Sequence, residues 1–277
     1  MTIWNAVILG IIQGITEFLP ISGSGHLAVL NNLFDIVTVN DGHLLFDVLL
    51  KLGTLSAIVV VYWQDITQMI FEMLHFAGVG PLAGSSQSRY SGARLFIMLV
   101  FATVPLLLAV PIRNAADMLS YRNVFVGVSL VLTGCVLYVS DRMVIGRKTE
   151  NTVTIFDALI IGLCQCVSVI PGLSRTGITV TAGISAGLRA DFALRFSYLL
   201  ALPAMFGAVI LELVDALRQG VSMANIPAYL IGMIAAMLSG IAAISFMKKF
   251  FEKGKFGGFA YYCWVFGVLS VILTVIF

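Results

Sequence analysis

Six apolar stretches of the chain are long enough to cross a lipid bilayer. They run over 44–63, 93–112, 122–140, 192–213, 226–247 and 256–277. An α-helix rises about 1.5 Å per residue, so roughly 20 apolar residues are needed to span a hydrocarbon layer of about 30 Å. The pattern therefore predicts about six transmembrane helices.

Two further apolar segments, 1–36 and 153–190, differ because polar residues interrupt each of them near its middle. Neither half of either segment reaches the length of a span. We expect each segment to form a re-entrant hairpin of two half-helices. Irregular backbone at membrane depth is tolerated where it is buried in protein or lines a cavity, so both interruptions predict an internal polar site.

The two interruptions are copies of one loop. Equivalent residues lie 152 positions apart, as in Gly10 and Gly162, Gln13 and Gln165, Ser22 and Ser174, and Gly25 and Gly177. The prolines Pro20 and Pro171 are 151 positions apart, which is a slip of one residue. A duplicated loop of this kind predicts that the chain consists of two related halves.

Three predicted spans separate the two hairpins, so the second hairpin enters from the opposite face of the membrane. The result is an inverted-topology repeat in which the two loops meet near the midplane. We predict a first repeat over 1–140, a charged cytoplasmic linker over 141–152, and a second repeat over 153–277.

Composition supports the membrane assignment. The chain is 60% hydrophobic and 11% charged, with a mean hydropathy of +1.03, which excludes an ordinary soluble domain. We therefore predict an all-α integral membrane protein whose partner is the lipid bilayer. The formal net charge of +2 gives no indication of a nucleic-acid partner. A homodimer is an open alternative for the oligomeric state.

Basic residues are distributed unequally between the two sets of connections. Eleven lie in one set, namely Arg89, Arg94, Arg142, Arg147, Lys148, Arg189, Arg195, Lys248, Lys249, Lys253 and Lys255. Three lie in the other set, namely Arg113, Arg122 and Arg218. The positive-inside rule predicts that the first set is cytoplasmic, so both termini and the mouth of the first hairpin face outside. The longest connection, 64–92, is either an interfacial helix or a plain loop.

Glu17 and Arg175 are the residues that most need an explanation, because a charge at the core of a bilayer costs on the order of 2.5 to 3.5 kcal/mol. One interpretation is that they simply pair with each other across the repeats. However, more hydroxyl and imidazole groups lie within ten residues of them than one ion pair uses. These are Ser22, Ser24, His26, Ser174, Thr176 and Thr179.

An arginine among hydroxyls and glycine N–H groups, at the start of a half-helix, is typical of a phosphate site. Glu17 places a carboxylate in the same site, which indicates either a divalent cation that bridges Glu17 to the phosphates or a general acid–base role. Gln13 lies one helical turn before Glu17 and shares its face. His26 is either a buried polar residue at a helix start or a chemical group. Lys51 either snorkels outward or lines the cavity as another cation for phosphate.

The segment Gln13-Gly-Ile-Thr-Glu17-Phe-Leu-Pro-Ile-Ser22-Gly-Ser-Gly-His26 resembles the [E/Q]xxxE motif, and the histidine that follows it, of the undecaprenyl-pyrophosphate phosphatases of the BacA type. The segment Pro171-Gly-Leu-Ser174-Arg175-Thr176-Gly-Ile-Thr179 resembles the PGxSRSxxT motif of the same family. The likeness covers nearly the whole chain. It implies an enzyme of the bacterial plasma membrane that removes the terminal phosphate of a polyprenyl diphosphate, with Mg²⁺ or Ca²⁺ as cofactor and a site open to the outer face.

The resemblance and the residues together lead to a hypothesis for the site. The candidate catalytic residues are Glu17, His26, Ser22, Ser24 and Arg175. The candidate phosphate-binding residues are Ser174, Arg175, Thr176, Thr179, Gly172, Gly25 and Lys51. The candidate metal ligands are Glu17 and Gln13. The nucleophile is either His26, a serine of the first loop assisted by His26 or Glu17, or a water molecule.

This sequence departs from the family pattern at several positions. Gln13 is the amide option of the first motif, and Gly23 stands where many relatives carry a second serine. Thr176 replaces the second serine of the other motif, and Lys51 stands where relatives have Gln or His. Two rival functions remain open: a transporter or flippase for polyprenyl phosphates, because inverted repeats with broken helices are common in transporters, and a scaffold that binds lipid without turnover.

Overall fold

A computed structural model describes residues 1–34, 43–76, 91–219, 225–251 and 256–276. These residues are helical apart from short connections. The helices are α1 Ile3–Phe18, α2 Gly23–Phe34, α3 His43–Val61, α4 Trp63–Phe76, α5 Ser91–Thr103, α6 Arg113–Ser120, α7 Asn123–Ser140, α8 Ile155–Val167, α9 Arg175–Ser185, α10 Ala190–Gln219, α11 Ile226–Phe251 and α12 Gly258–Ile276.

The prediction of six long apolar helices is confirmed for the described residues. The candidate spans are Leu44–Val61, Ser91–Ile112, Asn123–Ser140, Ala190–Arg218, Ile226–Phe251 and Gly258–Ile276. The all-α membrane class is therefore correct. The predicted connection 64–92 begins with a helix, α4, and ends in the first residues of α5. Its residues 77–90, which include Arg89, lie outside the described part, as do Lys253, Lys255 and the carboxyl-terminal residue.

The second span is not a uniform α-helix, which the sequence pattern did not indicate. After Thr103 it continues as a 3-10 segment, Val104–Ile112, which carries Pro105 near its start and Pro111 near its end. Proline lacks an N–H donor and clashes with the preceding turn, so regular α-helical hydrogen bonding cannot continue through both residues.

The first interruption has a local cause. α1 ends at Phe18 because Pro20 disfavours a helical conformation at the residue before it, and Leu19 is accordingly extended (φ −69°, ψ 146°). α2 begins after Ser22, whose φ is +70°. The second interruption contains Pro171 and Gly172, and Gly172 adopts a φ of +92° that a residue without Cβ tolerates.

The two halves of the chain are interleaved and share one core. α1 packs along α11, which is the second span of the other half, and α8 packs on α5, which is the second span of the first half. A Cβ at Gly10 would lie 2.3 Å from the Gly232 carbonyl oxygen, and a Cβ at Gly162 would lie 2.1 Å from the Ala102 carbonyl oxygen. Equivalent glycines therefore permit two equivalent helix crossings.

The ends of the helix pairs contact different sets of loops. The Met1 ammonium donates to Asn225 Oδ1 (3.3 Å), and Asn32 Nδ2 near the end of α2 donates to the Ser120 carbonyl oxygen (3.0 Å). The α1–α2 pair therefore begins beside the loop before α11 and ends beside the loop before α7.

The second helix pair begins and ends beside the charged linker. Lys148 Nζ donates to Asp157 Oδ2 (2.8 Å) in the first turn of α8, and the Lys148 N–H donates to the Gly187 carbonyl oxygen (3.0 Å) after α9. In the same region Arg195 pairs with Asp65 of α4. The charged linker, the connection after α9 and the start of α10 near Arg195 therefore lie close together. All three carry basic residues of the set predicted to be cytoplasmic.

Candidate active site

A cavity of about 400 Å³ lies where the two interruptions meet. Its wall is largely apolar, with contributions from the 3-10 segment and α10. The polar side chains that line it are Thr16, Glu17, Ser22, Ser24, Lys51, Thr103, Gln165, Ser168, Ser174, Arg175 and Glu212. The fold therefore brings six of the predicted site residues, from both halves of the chain, to one cavity: Glu17, Ser22, Ser24, Lys51, Ser174 and Arg175.

Two helices begin at this cavity. Ser174 caps α9 by accepting a hydrogen bond from the Gly177 N–H (3.1 Å), and Ser22 accepts one from the Gly25 N–H (3.2 Å) at the start of α2. Backbone N–H groups in the first turn of a helix have no intrahelical acceptor, and the helix dipole makes this end attractive to anions. Two such ends at one cavity form a site suited to phosphate. Ser24 is exposed and lines the same cavity.

Glu17 and Arg175 form an ion pair. Arg175 Nη2 donates to Glu17 Oε1 (2.8 Å), and Gln13 Nε2 donates to the other carboxylate oxygen (3.2 Å). The two charges therefore pair across the two halves of the chain, as one of the sequence interpretations predicted. Yet the pair does not use all of the guanidinium, because Arg175 Nη1 is buried and has no hydrogen-bond partner among the described residues. That nitrogen therefore has a capacity to donate that the described residues do not use.

Thr176 and Thr179 hold the loops in place and do not line the cavity. Thr176 Oγ1 donates to the Glu17 carbonyl oxygen (3.3 Å), which ties the start of α9 to the end of α1. Thr179 Oγ1 donates to the Arg175 carbonyl oxygen (2.8 Å) and lies 2.6 Å from Ser197 Oγ on α10. Their hydroxyls therefore fix the backbone around the ion pair. Their assignment as phosphate ligands stays a prediction.

Gly25 and Gly172 form the contact between the two loops. A Cβ at Gly25 would lie 3.0 Å from Gly172 Cα, and a Cβ at Gly172 would lie 2.6 Å from the Val126 carbonyl oxygen on α7. Neither glycine is among the residues that line the cavity. Close packing explains why neither position has a side chain, and the assignment of both glycines as phosphate-binding residues stays a prediction.

His26 lies on the other side of the first loop. Its Nδ1 is 2.8 Å from the Ser22 carbonyl oxygen, which can only accept, so Nδ1 carries a proton and donates, while Nε2 lies 2.8 Å from the Tyr262 hydroxyl. The ring also stacks on Phe266, with centroids 4.2 Å apart. His26 is not among the residues that line the cavity containing Arg175, and its assignment as a catalytic residue stays a prediction.

Lys51 lines the cavity, and the structure gives it a partner. Its Nζ lies 2.6 Å from Glu212 Oε1 on α10. Lys51 is thus among the residues that line the cavity, and its role as a cation for phosphate stays a prediction. Glu212 was missed in the sequence, although a carboxylate within an apolar span is itself a signal of function.

Five other polar residues of the site were missed, namely Thr16, Thr103, Thr133, Gln165 and Ser168. Thr133 on α7 donates to the Gly172 carbonyl oxygen (3.0 Å) and accepts from the Ser174 N–H (3.0 Å), so it holds the second loop. Nothing in the local sequence distinguishes Thr133 from other threonines in spans. Ser168 and Gln165 line the cavity, and Gln165 could have been found because it is the repeat equivalent of Gln13.

The predicted divalent cation stays a prediction, and only the fit of its predicted ligands can be considered. Within the described residues, no group of three or more His, Cys, Asp or Glu side chains is placed to hold a metal. Mg²⁺ is commonly bound by one or two carboxylates together with substrate phosphates. The Glu17 carboxylate and the adjacent Gln13 amide fit an ion of that kind.

Comparison with known proteins shows the family to which the chain belongs. Residues 6–269 match the family model described as "Bacitracin resistance protein BacA". A protein of Syntrophotalea carbinolica named undecaprenyl-diphosphatase is 36% identical over 96% of this chain and 97% of its own length. Proteins of the same name from Halothermothrix orenii (35% identical, covering 100% of both chains) and Carboxydothermus hydrogenoformans (33%, covering 99% and 98%) are also similar.

Proposed function

Because the chain belongs to the BacA family, we propose that it is a membrane phosphatase that hydrolyses undecaprenyl diphosphate to undecaprenyl phosphate and inorganic phosphate. This reaction recycles a lipid carrier of the bacterial envelope. The observation that carries the proposal is the convergence of two helix amino termini, Arg175 and Glu17 on one cavity with largely apolar walls. Such a cavity has a polar end for the diphosphate and an apolar wall for the isoprenoid.

Binding of the diphosphate follows from the charges of the site. The first-turn N–H groups of α2 and α9 and the guanidinium of Arg175 neutralise the phosphate oxygens, and Nη1 is the donor that the Glu17 ion pair leaves available. Lys51 adds a cation on the same wall. Catalysis of phosphoryl transfer depends mainly on such alignment and charge stabilisation.

Hydrolysis breaks the bond between the terminal phosphorus and the bridging oxygen, which leaves with undecaprenyl phosphate. The new bond comes from a hydroxyl that water later replaces, or from water directly. Ser24 is the best placed hydroxyl, because it is exposed in the cavity. Ser22 uses its oxygen to accept from the Gly25 N–H, and the His26 ring is engaged on the far side of the loop. Glu17 is the carboxylate that accepts the proton.

A divalent cation, Mg²⁺ or Ca²⁺, is part of the proposal. Glu17 and Gln13 would hold it together with the phosphates of the substrate. When bound, the ion supplies Lewis-acid stabilisation of charge on the phosphate oxygens.

We also propose that the α1–α2 and α8–α9 pairs are re-entrant hairpins of an inverted repeat. The proposal is supported by the exchange of partners, in which each first half-helix packs on the second span of the other half. It is further supported by Lys148, which contacts both the start of α8 and the residue after α9. The excess of basic residues in the connections near Lys148 assigns that end to the cytoplasm, so both termini and the site's opening face outside.

The deciding experiment measures phosphate release by the purified protein in detergent with farnesyl and undecaprenyl diphosphates, with and without EDTA. We expect release of one phosphate per diphosphate. A transporter or flippase needs a sealed bilayer to act, whereas hydrolysis does not. Absence of phosphate release with added Mg²⁺ and Ca²⁺ would reject the phosphatase and favour transport.

A further inference from the structure

We infer that Gln165 is a further substrate-binding residue, whose amide contacts the diphosphate end of the bound lipid. The inference rests on the proposed function for the identity of the ligand. Gln165 stands in the last turn of α8, is 1% exposed and lines the cavity that contains Arg175 and Ser174. It is thus a buried polar side chain on the wall of the site.

The amide of Gln165 is unsatisfied by the protein. Neither Nε2 nor Oε1 has a hydrogen-bond partner among the described residues. Buried polar groups in native proteins are nearly always hydrogen-bonded, because leaving them unpaired costs the free energy of desolvation. An exception on the wall of a substrate cavity indicates that the partner belongs to the ligand.

Comparison of the two repeats shows why Gln165 lacks a partner in its own helix. In the first repeat, the amide of Gln13 donates to Glu17, one helical turn further on (3.2 Å). The equivalent position one turn after Gln165 is Val169, which also lines the cavity. The second repeat therefore has the amide of the first without its acid.

The chemistry of an amide matches the proposed ligand. Nε2 donates to a phosphate oxygen, and Oε1 accepts a hydrogen bond from the hydroxyl or water that attacks the phosphorus. Because the amide is uncharged, it adds no repulsion toward the diphosphate, whereas a carboxylate at this position would. Orientation of an attacking water by glutamine is an established use of this side chain in phosphoryl transfer.

The test uses Gln165→Met and Gln165→Glu, which keep the size of the side chain, in the full-length protein in detergent. Leu163→Ala is the matched control, because Leu163 lies on the same helix and is 52% exposed on its outer face. Two quantities are measured: the rise in Tm caused by inorganic pyrophosphate, and the KM and kcat for farnesyl diphosphate.

For Gln165→Met we expect a ligand-free Tm equal to or above that of the wild type, because the unpaired amide is gone. We expect the pyrophosphate-induced rise in Tm to fall by more than half. We expect kcat/KM to fall about tenfold, which corresponds to the loss of one hydrogen bond to a charged group. Gln165→Glu should lose more through repulsion. A purely structural role would instead lower the ligand-free Tm of Gln165→Met, and that result would overturn the inference.

A wild-type pyrophosphate response and wild-type KM and kcat in Gln165→Met would also overturn it. Failure of the proposed function is distinguishable, because it would appear as a wild-type protein that hydrolyses no diphosphate. A pyrophosphate-induced rise in Tm that depends on Gln165 would then still support the binding role.

Discussion

Ser22 and Ser174, at equivalent positions of the two loops, each accept a hydrogen bond from an N–H in the first turn of a helix, but their backbone conformations differ. Ser174 caps α9 from an extended conformation with φ −75°, whereas Ser22 precedes α2 at φ +70°. A residue with a side chain in the left-handed region is held under strain of about 1 to 3 kcal/mol, and such strain tends to occur at functional sites. Ser22 therefore positions the first loop, and this leaves Ser24 as the hydroxyl that faces the cavity.

The first residue-scale prediction is that Arg175→Lys lowers kcat/KM at least 100-fold although it retains the charge. An ammonium cannot donate to Glu17 through one nitrogen and to a phosphate through another in a planar fork. Phosphate release from farnesyl diphosphate is the measurement. Arg218→Lys, at a pair that is 77% exposed on the arginine side, is the control and should retain wild-type activity. Near-normal turnover of Arg175→Lys would contradict the assignment.

The second prediction concerns the cation. Glu17→Gln should abolish or greatly weaken both the rate and its response to Mg²⁺ or Ca²⁺, because the carboxylate that shares the ion is lost. Gln13→Glu should tighten the apparent affinity for the metal by adding a second carboxylate beside Glu17. Both are measured by metal titration of phosphate release. An unchanged titration curve for Glu17→Gln would remove Glu17 from the metal site.

The third prediction distinguishes the candidate nucleophiles. We expect Ser24→Ala to lower kcat at least 100-fold and to abolish an acid-stable phosphoenzyme trapped from labelled diphosphate. Ser22→Ala should have a smaller effect on kcat, since it removes a helix cap. An acid-labile, base-stable label that His26→Ala removes would instead identify phosphohistidine. Full activity of the Ser22→Ala, Ser24→Ala double variant would leave His26 or water.

At the scale of helices, close crossings position the site. α8 carries Gln165 and approaches α5 so closely at Gly162 that no side chain fits there. α1 carries Gln13 and Glu17 and crosses α11 at the equivalent Gly10. Neither α1 nor α8 reaches the length of a span, so packing on full spans determines where the loops lie.

We therefore predict that Gly162→Ala destabilises the protein and lowers activity in parallel, because its Cβ would lie 2.1 Å from the Ala102 carbonyl oxygen. The expected loss is about 2 kcal/mol or more, typical of overpacking against rigid backbone. Gly258→Ala, at the start of α12, is the control, since no atom lies within 4 Å of its Cβ position and it does not line the cavity. Thermal unfolding in detergent provides the comparison. Equal Tm values for the two variants would contradict the crossing argument.

The whole molecule is a helical bundle. The first helix of each half packs on the second span of the other half, α1 on α11 and α8 on α5. This arrangement brings a loop from each half to one cavity, with charged connections such as Lys148 and Arg195 near one end. The face of the membrane to which the cavity opens, which we propose is the outer one, would decide which pool of lipid the enzyme serves.

Labelling in intact cells tests the orientation. In a background without the native cysteines, Thr2→Cys should react with a membrane-impermeant thiol reagent added outside, whereas Val144→Cys should not. Val144 is 90% exposed in the charged linker, so burial in the protein would not explain its protection. Permeabilised cells serve as the control, in which both positions should react. The opposite pattern would place the mouth of the first hairpin in the cytoplasm.

The sequence by itself determined the class of fold, the six long apolar helices and the two interrupted segments. These follow from local physics, because hydrophobic length sets a span and a proline such as Pro20 ends the helix before it. It also identified Glu17 and Arg175, since charges in apolar segments are costly. What only the tertiary structure decided is which side chains share the cavity. Glu212 and Gln165 enter it from α10 and α8, while His26 turns to Tyr262 of α12. Those contacts join residues far apart in the chain, so they depend on helix packing, which no local pattern encodes.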